Sequence, residues 1–95
     1  MIASFVEGKV EPEQFDVLVQ GYRALLAAGL PDAIRATYLM QAADGSAVWR
    51  IVTIWRSCED LQTMRASNPV PPAVQVFRSA KVEPAVRFFD VIVSS

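Results

Sequence analysis

The chain has 95 residues, of which 53% are hydrophobic, and its formal net charge at pH 7 is -1. This length suffices for one domain and is too short for two, so residues 1–95 are predicted to form a single domain. Acidic and basic residues are interspersed, which argues against the basic surface of a nucleic-acid-binding protein. The apolar stretches are far shorter than the roughly 20 residues that span a bilayer, which argues against a membrane protein. The single Cys58 is typical of a cytoplasmic protein.

The first half of the chain predicts a strand, a helix and a second strand. Ile2 to Val10 is apolar-rich and free of helix signals, which favours a strand. Between Pro12 and Gly29, apolar residues recur at helical spacing, with proline suited to the first turn and glycine to the end of the helix. The segment from Ile34 to Ala42 predicts a strand with Ile34, Ala36, Tyr38 and Met40 on one face.

The second half predicts a hairpin, an interrupted helix and a last strand. Asp44 and Gly45 are typical hairpin-turn residues, and a strand from Ala47 to Arg56 follows. Ser57 and Asp60 match a capping box at the start of a helix. The prolines between Ser67 and Pro72 must interrupt that helix, which resumes over Ala73 to Ala80. The last predicted strand is Ala85 to Val93.

The predicted order, β-α-β-β-α-β, is that of an α+β ferredoxin-like fold with a four-stranded antiparallel sheet and both helices on one face. The uncovered face of such a sheet is normally polar at alternate positions. Here the third strand has Trp49, Ile51 and Trp55 on one face, and Val48, Val52 and Ile54 on the other. An exposed apolar face of this size predicts a homodimer, in which two sheets pack against each other.

The segment from Ala47 to Ser67 carries a family resemblance. A strand that ends at Trp55 is followed by Ser57, Glu59 and Leu61, then by Met64 and Ser67 in the helix. This pattern resembles the antibiotic-biosynthesis-monooxygenase-like families of the dimeric α+β barrel group. The resemblance implies a homodimer with a pocket between sheet and helices. It also implies activities such as cofactor-free oxygenation of polycyclic hydroquinones or haem degradation.

Several positions depart from the family pattern. Met64 stands where the haem-degrading branch has its iron-ligating histidine, and Pro69 stands where some relatives have a second one. Ser4 and Phe5 replace an asparagine of the first strand, and Thr53 replaces a glutamate two residues before the tryptophan. The chain contains no histidine. We therefore expect no metal site, no haem and no other cofactor.

The predicted ligand site is an apolar pocket between the sheet and the helices, with its mouth near Ser67 to Pro72. Its expected apolar walls and polar contacts are six side chains, namely Trp55, Phe5, Met64 and Phe77, with Tyr38 and Asn68 as the polar ones. Trp55 is equally explained as a core residue, and Met64 is better explained as a residue that fills a gap in the core. No catalytic residue can be assigned, because Cys58 has no histidine to activate it.

Two functions remain open at the level of sequence. The first is a cofactor-independent monooxygenase that acts on an aromatic or hydroquinone-like small molecule, with Trp55 and Tyr38 against the ring and an arginine or Asn68 near its oxygen. The second is a non-catalytic dimeric module that binds an apolar small molecule or has a structural role. The missing histidine favours the second, because imidazole is the side chain best suited to acid–base work at neutral pH.

Overall fold

The computed structural model describes residues 1–68 and 70–94. Within these ranges, four strands and three α-helices follow one another, with a 3-10 turn at Pro12–Gln14 before the first helix. Their bounds are β1 (Ile2–Lys9), α1 (Phe15–Ala27), β2 (Ile34–Gln41), β3 (Val48–Trp55), α2 (Cys58–Ser67), α3 (Pro72–Ser79) and β4 (Ala85–Asp90).

The four strands form one antiparallel sheet in the order β2-β3-β1-β4. β1 pairs with both β3 and β4, and β2 pairs with β3. The β-α-β-β-α-β arrangement and the ferredoxin-like sheet predicted from the sequence are thus confirmed. The second helical segment is divided into α2 and α3, as the prolines predicted.

The main core lies between the sheet and the α1–α3 pair. Trp49 and Ile51 of β3 and Val6 of β1 pack there against apolar side chains of the two helices, of which Leu18 and Phe77 are fully buried. A smaller cluster, made of Ile2, Trp55 and Leu61, lies under α2. The two clusters share one sheet face, and a cavity lies between them.

The helix ends follow from local hydrogen bonding. Gly29, with φ of 92°, lies just beyond α1 in the left-handed conformation expected of a terminating glycine. The Ser57 hydroxyl accepts the backbone N–H of Asp60 at 3.1 Å and caps α2. The Asp60 carboxylate binds Arg56 Nε instead of completing the capping box.

Two sequence predictions need correction. β4 ends at Asp90, so Val91 to Val93 lie outside the strand, although the Val91 N–H still donates to the Met1 carbonyl. In β2, the register shifts between Ile34 and Ala36. This bulge at Arg35 places Ile34 on the helix-covered face with Thr37 and Leu39. Tyr38 and Met40 therefore lie on the opposite face, without Ile34.

Within the described ranges, no helix is long and apolar enough to cross a membrane.

Candidate functional site

A cavity of about 220 Å³ lies between the two core clusters. Its floor is the sheet, and its roof is α2, the start of α3 and the loop that joins α1 to β2. Most of its wall is apolar, with Leu25, Ile34, Trp55, Leu61, Met64 and Phe88 among the lining residues. The proline break creates this space, because it separates α2 from α3 while α3 remains packed on α1.

Polar groups of the cavity are concentrated on its floor. The Tyr22 hydroxyl donates to Thr37 Oγ1 at 3.2 Å, and Thr37 Oγ1 lies 3.2 Å from Thr53 Oγ1. Thr37 and Thr53 line the cavity, whereas Tyr22 is buried behind them in the main core. The three hydroxyls connect α1, β2 and β3, so this network fixes the helix to the sheet at the edge of the cavity.

Trp55 forms the part of the cavity floor that adjoins the smaller cluster. Its indole Nε1 donates to Ser4 Oγ at 3.0 Å, and both side chains are buried. The bond fixes the indole ring, so Trp55 presents an oriented aromatic surface to the cavity. It also explains why a serine occupies an inward position of β1 between Ile2 and Val6, since buried polar groups require partners.

One cationic side chain, that of Arg65, lines the cavity. The Arg65 guanidinium lies 5.1 Å from the centre of the Phe88 ring, a distance typical of cation–π contacts. Arg65 is the one titratable side chain among the described lining residues. Asn68 is nearby, and its amide donates weakly to the Met64 carbonyl at 3.4 Å.

The structure brings together half of the predicted site residues. Trp55, Met64 and Asn68 all line the cavity, but whether they contact a ligand stays a prediction. The predicted mouth is partly matched, since Asn68, Pro71 and Pro72 line it. Pro69, the counterpart of a relative's histidine, lies outside the described residues.

The other three predicted residues do not reach this cavity, so their placement is corrected. Tyr38 is on the opposite sheet face and 55% exposed, because the bulge at Arg35 separates its face from that of Ile34. Phe5 alternates with the inward Ser4 and Val6 and also points to the opposite face, where its ring packs edge-on against Phe89. Phe77 is fully buried in the main core.

The floor hydroxyls were not identified from the sequence as site residues. Ser4 and Thr53 are departures from the family pattern, and Thr53 shares a strand face with Trp55. The two residues are neighbours only because the β1–β3 register pairs Ser4 with Thr53.

The sheet face turned away from the helices, called the open face below, is a second unusual surface. Its exposed side chains include Tyr38, Met40 and Phe89. Among them lies an ion pair between Glu7 and Arg50, and the Arg50 guanidinium also lies 5.6 Å from the Phe5 ring centre.

In residues 1–68 and 70–94, no group of three or more acidic, cysteine or histidine side chains is arranged to hold a metal.

Neither a protein-family model nor a curated protein sequence matches this chain. Solved structures do match it over its whole length. An inferred antibiotic biosynthesis monooxygenase from Deinococcus radiodurans has a TM-score of 0.79 and 14% identity, with 100% of this chain and 96% of that one covered. This chain therefore has the same fold as that protein.

Two further structures agree. Rv0793 from Mycobacterium tuberculosis has a TM-score of 0.74 and 18% identity, with 99% of this chain and 97% of that one covered. An inferred antibiotic biosynthesis monooxygenase from Nitrosomonas europaea has a TM-score of 0.74 and 8% identity, with 98% and 100% covered. At these identities the likeness establishes the fold, and function must be argued from the site.

Proposed function

We propose that this protein is a homodimeric, cofactor-independent monooxygenase that acts on a small, hydroquinone-like aromatic molecule bound in the cavity. The supporting observation is the cavity itself, which combines an apolar wall, an oriented indole and one cation. A dry apolar cavity of about 150 Å³ holds benzene. The 220 Å³ found here therefore suits a ligand of one or two rings.

The proposed reaction needs no reductant besides the substrate. A hydroquinone and O2 give a hydroxyquinone and water, with one oxygen atom replacing a ring hydrogen as a hydroxyl group. The second oxygen atom leaves as water with two hydrogens from the substrate. The substrate loses four electrons and O2 gains four, so the step balances without a flavin or a metal.

Arg65 has a defined role in this proposal. An ionised hydroquinone gives electrons to O2 more readily than the neutral form, and a nearby guanidinium favours the ionised form. The described lining residues include no carboxylate, thiol or imidazole that could act as a base. The proton would therefore pass to water at the mouth, with Arg65 stabilising the phenolate that remains.

Oxygen consumption with 1,4-dihydroxynaphthalene tests this proposal. We expect the protein to raise the rate above the spontaneous oxidation. Arg65→Gln should lower kcat at least tenfold, which is on the order of the effect of removing one charge interaction from the transition state. It should also move the pH profile of the rate to higher pH, because the bound phenol then ionises less readily. Arg23→Gln, which changes an exposed arginine of α1 outside the cavity wall, is the control.

The alternative is a non-catalytic dimeric module that binds an aromatic molecule. The absence of an acid–base side chain among the described lining residues favours it. The same experiment separates the two, because a binding module would bind the compound without raising oxygen consumption above background.

The dimer in this proposal would form through the open face. An uncovered face of an antiparallel sheet is normally polar, whereas this one exposes Tyr38, Met40 and Phe89. The exposed surface is 6084 Å², and the scaling for a compact monomer of 10.5 kDa gives about 5,400 Å². This excess of exposed surface supports a second copy of the chain that covers the open face.

A further inference from the structure

The hydroxyl network on the floor of the cavity leaves one proton unused. Tyr22, Thr37 and Thr53 contribute three hydroxyl protons but form two hydrogen bonds with one another. Because Tyr22 donates to Thr37, the third proton belongs to Thr37 or Thr53, and both line the cavity. In residues 1–68 and 70–94, the hydroxyls of Thr37 and Thr53 form no further hydrogen bond.

Ser4 adds a second unpaired proton at the same place. Its oxygen accepts the indole N–H of Trp55, and its hydroxyl donates no hydrogen bond within residues 1–68 and 70–94. Ser4 and Thr53 are direct partners in the β1–β3 register, so their Cβ atoms lie about 4.5–5.5 Å apart. Both are only 7% exposed. Two buried donors therefore converge on the cavity floor.

We propose that Ser4 and the Thr37–Thr53 pair form a binding site for one acceptor oxygen of the ligand, either a ring carbonyl or a phenolate. The inference rests on the proposed function, because it requires a ring in the cavity. One such oxygen has the lone pairs to accept both protons. A buried donor left unpaired is costly, so the site selects ligands that carry an acceptor at the inner end.

This site also sets the orientation of the ligand. The acceptor oxygen lies at the floor between β1 and β3, and the ring then extends along Trp55. The opposite end of the ring reaches the roof, where Arg65 and Asn68 belong to the wall. A hydroquinone has an oxygen at each end, so it fits the floor donors and the cation at the same time.

Two uncharged probes of nearly equal shape test the proposal by calorimetry. α-Tetralone carries one ring carbonyl and no donor, and tetralin is the same bicyclic compound without the oxygen. We expect the wild-type protein to bind the ketone at least tenfold more tightly, since one net hydrogen bond corresponds to about tenfold in affinity. Equal binding of both would overturn the acceptor site and leave the aromatic cavity standing.

Variants assign the preference to the named hydroxyls. The double variant Thr37→Val with Thr53→Val keeps both side-chain shapes and removes both hydroxyls of the pair from the cavity wall. It should reduce the preference for the ketone severalfold, with tetralin binding unchanged. Ser4→Ala should do the same, and the double variant decides the matter if Ser4→Ala fails to fold. An unchanged preference in the double variant would overturn the assignment.

Tyr22→Phe is the matched control. It leaves two hydroxyls and one hydrogen bond, so one proton remains surplus and the preference for the ketone should persist. Binding of neither probe by the wild-type protein would overturn the acceptor site and the aromatic cavity together. Oxygen consumption is measured separately, so a binding protein without oxygenase activity would contradict the catalytic proposal alone.

Discussion

Gly8 of β1 lies against Phe77 of α3 and against Val82, which follows that helix. A Cβ atom at this position would lie 2.6 Å from Val82 Cγ1 and 3.4 Å from Phe77 Cδ1. The valine is β-branched and has little rotamer freedom, and Phe77 is fully buried. The glycine thus permits the packing that fixes one boundary of the main core.

We predict that Gly8→Ala destabilises the protein by about 1–3 kcal/mol, the usual cost of overpacking a core. Urea unfolding at constant pH measures the change. Gly21→Ala is the matched control, because its Cβ would lie 3.5 Å from Ser79 Oγ, an ordinary contact. Alanine also favours the helix by about 0.5–1 kcal/mol, so this control should be as stable as the wild type or more so. Equal stability of Gly8→Ala would contradict the close approach.

At the level of elements, the end of α3 is held by a terminal motif and an ion pair. Lys81 has φ of 65°, and the next residue, Val82, donates its N–H to the Phe77 carbonyl. Glu83 then turns back and accepts two hydrogen bonds from the Arg78 guanidinium, each of 2.8 Å. The contact with Arg78 lowers the pKa of the Glu83 carboxyl.

We predict that Arg78→Gln returns the pKa of Glu83 to its ordinary value. Because the folded pKa is lower than the unfolded one, the pair stabilises the protein above about pH 4.3, the ordinary glutamate value. That contribution disappears as the pH falls through the folded pKa. The effect on stability is small, since both side chains are exposed.

An NMR titration of the Glu83 side-chain carboxyl provides the measurement. Its midpoint should rise in Arg78→Gln and stay unchanged in Arg23→Gln. In parallel, the difference in unfolding free energy between wild type and Arg78→Gln should shrink between pH 6 and pH 3. A midpoint that does not respond to Arg78→Gln would show that the ion pair is absent in solution.

At the scale of the whole molecule, the open face connects the sheet to the proposed second copy. Phe89 is 51% exposed there and packs edge-on against Phe5 at a centroid distance of 5.2 Å. Val52, at the centre of the same face, is already covered by its own chain. Exposed Tyr38 and Phe89 are therefore better positions for a charge, because substitutions there spare the single-chain core.

We predict that Phe89→Glu converts a dimer into a monomer, because a carboxylate from each copy would be buried in the interface without a partner. Sedimentation velocity at micromolar concentration measures the mass, and thermal unfolding shows whether the chain still folds. Val17→Glu, on the exposed surface of α1, should remain dimeric. A wild-type protein that sediments as a stable monomer would refute the dimer.

Much of the fold followed from the sequence, because it depends on local periodicity. The helical spacing of apolar residues before Gly29, the proline break after α2 and the hairpin near Gly45 are each set by neighbouring residues. Boundaries shifted by a residue or more, since strand ends depend on pairing partners. The apolar character of both sheet faces was also visible in the sequence, because strand alternation has a fixed period of two.

The membership of the cavity was decided by tertiary structure. The extra residue at Arg35 places Ile34 on the sheet face opposite to that of Tyr38, and no local sequence pattern predicts this bulge. The first strand turned Ser4 inward and Phe5 outward, against the usual hydrophobic rule, because Ser4 binds Trp55, 51 residues away. Contacts of such separation depend on register between strands. The sequence alone could therefore name Trp55, Met64 and Asn68, whereas the hydroxyls on the floor are brought together only by the assembled sheet.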